Sequence, residues 1–331
     1  MRTAAPGYWM LLVPLFIAGC AGDQRNAQLH KIDRELPQLL RGPDRLPEGT
    51  WFVFAYFKDS DPGLYLATST DGYEWKGANG GKPVMVSPIW LRDPSVKLGP
   101  DGTFHMVFTG GSRPDEIGYA SSKDLVNWTA PRTLPVMRSV SGTRACWAPE
   151  LVHDDEKQRW LIAWSSEVAG RFEETKNQAK VNHRLYYTTT RDFRQLAEPK
   201  LLLDPGYTCI DPTLLKANGQ YHMFFKDERD SPSKKQVRMT KAPAPEGPYG
   251  KISDALTVTR VEGPCAIKIG DDYLVYFDEY RWDRYGAIRS RDLKSWSDVT
   301  KLMSFPPQRR HGSFLQVPRE IGEKLANLNI D

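Results

Sequence analysis

Cysteine is scarce in this chain of 331 residues, which contains only Cys20, Cys146, Cys209 and Cys265. Their spacing matches no metal-binding template, so we do not predict a zinc or iron–sulfur site. Cys20 belongs to a separate N-terminal motif and leaves an odd number of thiols, so at least one must be free in an exported protein. Because an unpaired buried cysteine behaves as a small hydrophobe, we expect buried thiols rather than a disulfide.

A block of charge of one sign is also missing. The chain has 45 Lys and Arg against 41 Asp and Glu, a net charge of +4, and the two signs are scattered. Without a basic block or a nucleic-acid motif, we predict no nucleic-acid partner. Helical periodicity is nearly absent before Glu320–Leu328, which predicts a short terminal helix. Together with an aromatic content of 11%, this pattern favours an all-β protein.

One apolar run, Tyr8–Ile17, follows Arg2 and ends on Ala18-Gly19-Cys20. It is too short for a membrane span and has the charge, apolar centre and small-residue exit of a secretory signal. The ending resembles the lipobox of bacterial lipoproteins, which implies that Cys20 is lipidated; an ordinary cleaved signal is the alternative. We therefore predict a signal peptide at 1–19, a tether at 20–47 and one domain at 48–331. The protein would be exported and lipid-anchored to the bacterial cell envelope, in the outer membrane or periplasm of a Gram-negative host, and would meet the membrane only through the lipid.

An arrangement of short predicted strands, separated by turns and loops, recurs five times after residue 50. Three copies close on an explicit turn with an Asp at its head and a Trp four places later: Asp71–Trp75, Asp124–Trp128 and Asp292–Trp296. The Asp can cap the turn and the Trp can cover the outer strand, so we predict a structural role for these tryptophans. Four strands per copy and five copies predict a five-bladed β-propeller. The first copy lacks its innermost strand, and His311–Val317 can supply it and close the ring.

The predicted inner strands begin at Asp93, Ala148, Asp211, Glu262 and His311, and their first residues would ring one mouth of the central channel. Glu262 opens an apolar hairpin that turns at Gly270-Asp271. Three carboxylates meeting at one mouth repel each other, which points to a function. They suggest either a hard-cation site or acid/base hydrolysis. Trp147, beside the third strand, favours hydrolysis because an indole at the mouth could stack on a sugar ring; a packed core residue is the alternative.

Five short segments in this order resemble glycoside hydrolase family 43: Arg92–Val96, Ser122–Trp128, Trp147–Glu150, Ile210–Leu214 and Glu262–Pro264. The resemblance covers roughly residues 50 to 318. It implies a five-bladed propeller that hydrolyses glycosidic bonds with inversion, mostly in plant arabinans, xylans and related polymers, and that requires no cofactor. Carried over by position, it implies that Asp93 is the general base, Asp211 the residue that modulates the pKa of the acid, and Glu262 the general acid.

Further assignments depend on the same resemblance. His311 matches a channel histidine that lies below the sugar in many members and in some binds a buried cation. A structural calcium in the central channel is therefore a candidate, with His311 as its one candidate ligand; a satisfied core histidine is the alternative. Arg284 could reach a substrate hydroxyl or remain solvated at the surface. Glu246-Gly247-Pro248 repeats the tripeptide at Glu262, but no apolar strand follows it, so we predict a turn on the rim.

The predicted partner is thus a carbohydrate. We expect an exo-acting enzyme that removes terminal α-L-arabinofuranosyl residues, since this activity is common in the family. β-D-Xylosidase and galactofuranosidase activities are the alternatives within the same class. A non-catalytic glycan-binding propeller is the alternative from another class, and the presence of all three acids argues against it.

Overall fold

The structure is a computed structural model, and it describes residues 46–330. The predicted signal peptide, Cys20 and nearly all of the predicted tether lie outside the described residues, so these assignments stay predictions. Within residues 46–330, no helix combines the length and the apolar character that crossing a bilayer requires.

Strands dominate the part of the chain that the structure describes. In chain order they are β1 (Trp51–Lys58), β2 (Asp61–Ser69), β3 (Lys76–Gly77), β4 (Met85–Val86), β5 (Arg92–Leu98), β6 (Phe104–Thr109), β7 (Ile117–Ser122), β8 (Arg132–Leu134), β9 (Trp147–Asp154), β10 (Arg159–Ser166), β11 (Arg184–Thr190), β12 (Lys200–Leu203), β13 (Cys209–Ala217), β14 (Gln220–Asp227), β15 (Gln236–Ala242), β16 (Glu262–Ile269), β17 (Asp272–Glu279), β18 (Arg284–Ser290), β19 (Ser297–Asp298) and β20 (Ser313–Val317). The helical elements are α1 (Arg319–Ala326) and the short 3₁₀ turns Asn79–Gly81, Glu173–Thr175 and Thr300–Leu302.

These strands form five antiparallel sheets, which are the five blades of a β-propeller. Blade 1 has the order β20-β1-β2-β3 with β4 also on β2; blade 2 is β5 to β8, blade 3 is β9 to β12, blade 4 is β13 to β15 and blade 5 is β16 to β19. In blade 1, Ser313 pairs with Ala55 and Val317 with Trp51, so the C-terminal strand closes the ring. The predicted fold and its closure are confirmed, although β20 begins two residues later than predicted.

Local chemistry explains the turns that close the blades. Oδ1 of Asp71 accepts hydrogen bonds from the backbone N–H groups of Tyr73 and Glu74, at 2.7 and 2.9 Å. Asp124 and Asp292 cap their turns in the same way. Trp75 is buried and donates its indole N–H to the carbonyl of Gly72. These contacts support the structural role predicted for the Asp-to-Trp turns.

The inner strands of blades 2 to 5 share a β-bulge near their first residues, and the bulge corrects one prediction. A residue with positive φ precedes a proline in each: Asp93 (49°), Ala148 (46°), Asp211 (57°) and Gly263 (55°). Glu262 therefore stands one residue before the bulge, not at the position of the two aspartates. Its equivalents, from the strand pairing, are Arg92, Trp147 and Ile210. The tripeptide Glu262-Gly263-Pro264 does not reveal this offset, because a bulge changes the register of strand pairing without changing the composition of the strand.

Polar side chains join neighbouring blades just inside the bulges. Four of them accept a backbone N–H from the next inner strand: Ser95 from Leu151 (3.1 Å), Thr213 from Ala266 (3.5 Å), Cys265 from Phe314 (3.4 Å) and Ser313 from Val96 (2.8 Å). Since Ser313 occupies this position in β20, His311 lies at the position of Asp93 and Asp211. Cys146, Cys209 and Cys265 are buried and free, which confirms the expectation of buried thiols without a disulfide.

Candidate active site

A cavity of about 260 Å³ opens at the ends of the inner strands that carry the bulges. It is lined by Arg92, Asp93, Thr109, Trp147, Ile210, Asp211, Lys226, Glu228, Glu262 and His311. The three predicted acids, Trp147 and His311 are thus brought together, although they come from the inner strands of blades 2 to 5 and from the segment that leads into β20 of blade 1. The lining also contains Lys226 and Glu228, which the sequence did not single out.

Asp93 of blade 2 and His311, which leads into β20 of the neighbouring blade 1, form an ion pair with 3.3 Å between Oδ1 of Asp93 and Nδ1 of His311. Burial alone would raise the pKa of Asp93, but the hydrogen bond and charge of His311, with smaller contributions from Thr109 and Arg92, hold it below its usual range. Burial opposes protonation of His311, yet Asp93 and the charges of Asp211 and Glu262 raise its pKa to about 9. At neutral pH the pair is therefore an imidazolium facing a carboxylate. Arg92 also lines the cavity.

Asp211 has the opposite electrostatic environment. It is buried, and one carboxylate oxygen accepts the backbone N–H of Gly263 at 3.0 Å. Burial raises the pKa of Asp211 to about 6, with His311 and Lys226 opposing and the charges of Glu262 and Asp93 adding to the rise. The glycine is required at position 263, because its φ is positive and an added Cβ would lie 2.4 Å from the His311 ring.

Glu262 contacts a buried cation. The Nζ of Lys226 lies 3.0 Å from Oε2 of Glu262 and 2.8 Å from Oε2 of Glu228. Burial disfavours the charged form of Lys226, but Glu262, Glu228 and Asp211 outweigh it and raise its pKa above the usual value. Glu228 also pairs with Lys235. Sequence reasoning named Asp211 as the neighbour that controls the proton of Glu262, and the structure adds a lysine in direct contact.

A sequence signal for these charges does exist. Lys226, Asp227 and Glu228 end the apolar run of β14 as three consecutive charged residues. Lys226 and Asp227 are buried, and buried charges require partners or a function. The guanidinium groups of Arg229 and Arg238 pair with Asp227 and compensate its buried charge, so Asp227 has a structural role. Lys226 is instead directed at the cavity.

Trp147 presents part of its indole to the cavity, since 44% of the residue is exposed. Its inner face stacks on His183, with 4.7 Å between ring centroids and 28° between planes. His183 is buried, and burial lowers its pKa to about 4. A neutral imidazole therefore supports the tryptophan from behind. This exposure contradicts the alternative of a packed core residue for Trp147.

Comparison with known proteins identifies the family. The model of a family described as a probable glycosyl hydrolase domain, related to glycoside hydrolase family 43, matches residues 49–322. This chain belongs to that family. The matched residues span all five blades of the propeller, and the carboxylate cavity lies at one mouth of its channel.

The relatives of this chain differ in their names. An α-L-arabinofuranosidase of Bifidobacterium longum subsp. longum is 21% identical over 88% of this chain and 35% of its own length, so this chain spans about a third of that curated relative. An α-L-arabinofuranosidase structure from Lactobacillus brevis has a TM-score of 0.53 at 19% identity, over 66% of this chain and 74% of that one. An exo-β-1,3-galactanase structure from Clostridium thermocellum has a TM-score of 0.55 at 15% identity, over 76% and 60%. At these identities the two structures show the shared fold alone.

Two residues considered from the sequence lie away from the cavity. Arg284 is not among the residues that line it, because the guanidinium pairs with both oxygens of the cross-strand Glu279. The prediction that Arg284 binds substrate is therefore not supported. Glu246 pairs with Lys157 and with Arg159, at 2.7 Å from the latter, and does not line the cavity. This placement agrees with the structural role predicted for it.

The side chains of the channel do not fit the predicted calcium. Among residues 46–330, no group of three or more His, Cys, Asp and Glu side chains is arranged to hold a metal ion. Nδ1 of His311 is bound to Asp93, and a protonated imidazole has no free lone pair for a cation. Deeper in the channel, the carboxylate of Glu150 is paired with the ammonium of Lys97 at 3.3 Å.

Proposed function

We propose that this protein is an inverting, exo-acting glycosidase that removes terminal α-L-arabinofuranosyl residues from plant-type polysaccharides or oligosaccharides. The observation that carries the proposal is that three carboxyl groups with different electrostatic environments line one cavity. Asp93 is held ionised by His311, whereas the pKa of Asp211 rises to about 6. Inverting hydrolysis of a glycoside requires one ionised carboxylate as the base and a second carboxyl group as the acid, and Asp93 and Glu262 are the residues proposed for these roles. The arabinofuranosyl specificity is supported by the name of the curated relative.

In the proposed mechanism, Asp93 takes a proton from a water molecule that attacks the anomeric carbon. Glu262 gives its proton to the leaving oxygen from the opposite face of the sugar, so the glycosidic C–O bond breaks with inversion. His311 keeps Asp93 ionised for its role as base, and Asp211 fixes the Gly263 backbone next to Glu262. Trp147 offers an aromatic face to the sugar ring.

Lys226 has a consistent place in this scheme. When Glu262 takes up a proton, it no longer balances the charge of Lys226. The second carboxylate, Glu228, lies 2.8 Å from the same ammonium and remains as its counter-ion. The arrangement therefore lets Glu262 change its protonation state without leaving a buried cation unpaired.

The test is the substitution Glu262→Gln, assayed on substrates with poor and with good leaving groups. Loss of the general acid should lower hydrolysis of alkyl glycosides and oligosaccharides by about 10²- to 10⁴-fold. Aryl glycosides with an acidic phenol need little protonation and should keep most of their rate. Arg284→Gln, outside the cavity, is the control. Wild-type rates of the Glu262→Gln variant on poor leaving groups would contradict the assignment of the acid.

Two further measurements test the remaining parts. NMR of the anomer first released should show inversion, and a retained anomer would rule out the mechanism. A panel of aryl α-L-arabinofuranosides, β-D-xylosides and galactofuranosides tests the specificity, and preference for either of the latter two would replace the arabinofuranosyl assignment.

We also propose that the enzyme is held at the cell envelope by a lipid on Cys20, on the strength of the Ala18-Gly19-Cys20 motif. A Cys20→Ala variant should move from the membrane fraction to the soluble fraction. Membrane association of that variant equal to wild type would refute the anchor.

A further inference from the structure

The strand next to each inner strand carries a side chain opposite the residue that precedes the bulge. In blades 2 to 5 these side chains are Thr109, Ser165, Lys226 and Asp278, opposite Arg92, Trp147, Ile210 and Glu262. The hydroxyls of Thr109 and Ser165 accept the backbone N–H groups of Ala148 and Asp211 in the next blade, at 2.7 and 3.0 Å. In blades 2 and 3 this position therefore connects neighbouring blades.

Blades 4 and 5 use the same position differently. The ammonium of Lys226 forms an ion pair with the carboxylate of Glu262, and Asp278 is the cross-strand partner of Glu262. Side chains of directly paired residues project from the same face of an antiparallel sheet, with Cβ atoms about 5 Å apart. Glu262 is thus flanked by a cation from one blade and a carboxyl group from its own blade, at positions that elsewhere carry a neutral hydroxyl.

Asp278 is buried without a hydrogen-bond partner. It is 1% exposed, and within residues 46–330 neither of its carboxyl oxygens accepts a hydrogen bond. The nearest ion-pair contact is Nη1 of Arg310, 3.7 Å from Oδ1. An unpartnered buried carboxylate is costly, and the group avoids that cost by keeping its proton. Burial, followed by the charge of Glu262, accordingly raises the pKa of Asp278 to about 7 against the opposing charge of Arg310.

Titratable and charged groups face Asp278 from three elements. They are Glu262 on β16, Tyr285 on β18, and Arg309, Arg310 and His311 in the segment before β20. The cations are shared with other acids: Arg310 binds Asp59 at 2.6 Å, and His311 binds Asp93. Each cation that faces Asp278 is therefore also paired with another acid.

We propose that Asp278 is a positioning residue for the catalytic proton: Asp278 and Glu262 keep one proton between them near neutral pH, and this is the proton that Glu262 delivers to the leaving oxygen. The inference rests on the proposed role of Glu262 as the general acid. After delivery both carboxyl groups are ionised, next to Lys226 and Arg310. Asp93 releases the proton of the attacking water to solvent, and one proton from solvent restores the pair. The cycle thus consumes only water and the glycoside.

The experiment compares Asp278→Asn with the matched control Asp272→Asn. Asp272 lies at the other end of β17, is equally buried and is paired with Arg289 and Arg291. Two coupled carboxyl groups perturb each other by about one pH unit or more. In Asp278→Asn, the alkaline limb of the pH profile of kcat/KM, measured on a substrate with a poor leaving group, should shift to lower pH by about one unit. The rate at pH 7 should fall by up to about tenfold, and KM should not change. Activated aryl glycosides should be unaffected, and Asp272→Asn should show neither effect.

A second variant tests the same inference through a pH shift in the opposite direction, and it does not depend on the folding of Asp278→Asn. Arg310→Gln removes the cation nearest to Asp278, so the pair should keep its proton to higher pH and the alkaline limb should move up. A wild-type profile in Asp278→Asn, an equal rate loss on activated substrates, or no upward shift in Arg310→Gln would each overturn the inference. If Glu262→Gln loses activity as expected while Asp278→Asn resembles Asp272→Asn, the inference fails and the proposed function stands. If Glu262→Gln keeps its rate, the proposed function itself fails.

Discussion

Replacing His311 by glutamine removes the cation that faces Asp93 and leaves a side chain that can still donate a hydrogen bond. The imidazole is mostly buried, and its Nδ1 lies 3.3 Å from the Asp93 carboxylate. Its pKa rises from the usual 6.5 to about 9, because the bond and charge of Asp93 and the charges of Asp211 and Glu262 outweigh burial. We expect this single group to give the wild-type protein a pH-dependent stability that the variant lacks.

The size and sign of the effect follow from proton linkage. A rise in pKa from 6.5 to about 9 corresponds to about 3 kcal/mol of folding free energy, at about 1.4 kcal/mol for each tenfold change in proton affinity. Because the pKa is higher in the folded than in the unfolded state, this stability is complete below pH 6.5. It is lost as the pH rises through 9. The wild type should therefore lose about 3 kcal/mol between pH 6.5 and 9 through this group, and His311→Gln should not.

Urea unfolding at several pH values between 6 and 9.5 measures the effect directly. The difference in unfolding free energy between wild type and His311→Gln should be largest near pH 6 and should shrink toward pH 9.5. His105→Gln is the control, because burial lowers the pKa of folded His105 to about 4, so its effect on stability changes mainly below pH 6.5 and not between pH 6.5 and 9. A constant difference between wild type and His311→Gln across the whole range would refute the ion pair with Asp93.

Two other substitutions test the charged wall and the aromatic face of the cavity. Lys226→Met leaves Glu228 and Glu262 without their shared buried cation. It should therefore lower the unfolding free energy by about 3 kcal/mol at pH 7 and by less at pH 5. Lys216 is exposed, and the control Lys216→Met should leave the melting temperature unchanged. An equal loss at both pH values would contradict the pairing. Trp147→Ala should raise the KM for an aryl glycoside about fivefold with little change in kcat, as expected for a stacking contact of about 1 kcal/mol. A fall in kcat at unchanged KM would assign Trp147 a different role.

The fold followed from local patterns, because each strand, turn and cap is specified by residues near one another in the chain. The Asp-to-Trp turns marked the blade ends, and the spare strand near Phe314 completed blade 1. The positions of Asp93 and Asp211 were predictable for the same reason, since each lies at the head of a recognisable apolar strand. Glu262 was recognised as a candidate acid but was assigned the wrong position on its strand. The bulge at Gly263 depends on how β16 pairs with β17, which the amino-acid composition of the strand does not show.

By itself, the sequence determined the repeat, the number of blades, the closure of the ring and which acids lie at the heads of inner strands. Only the tertiary structure decided what each acid contacts. The cation on Asp93 comes from the other end of the chain, the cation on Glu262 comes from the neighbouring blade, and Asp278 lies across the sheet from Glu262. Proton affinity depends on burial and on charges within a few ångströms, and in a propeller those charges belong to residues that are distant in sequence. The identity of the acids could thus be read from the chain, whereas their protonation required the assembled ring.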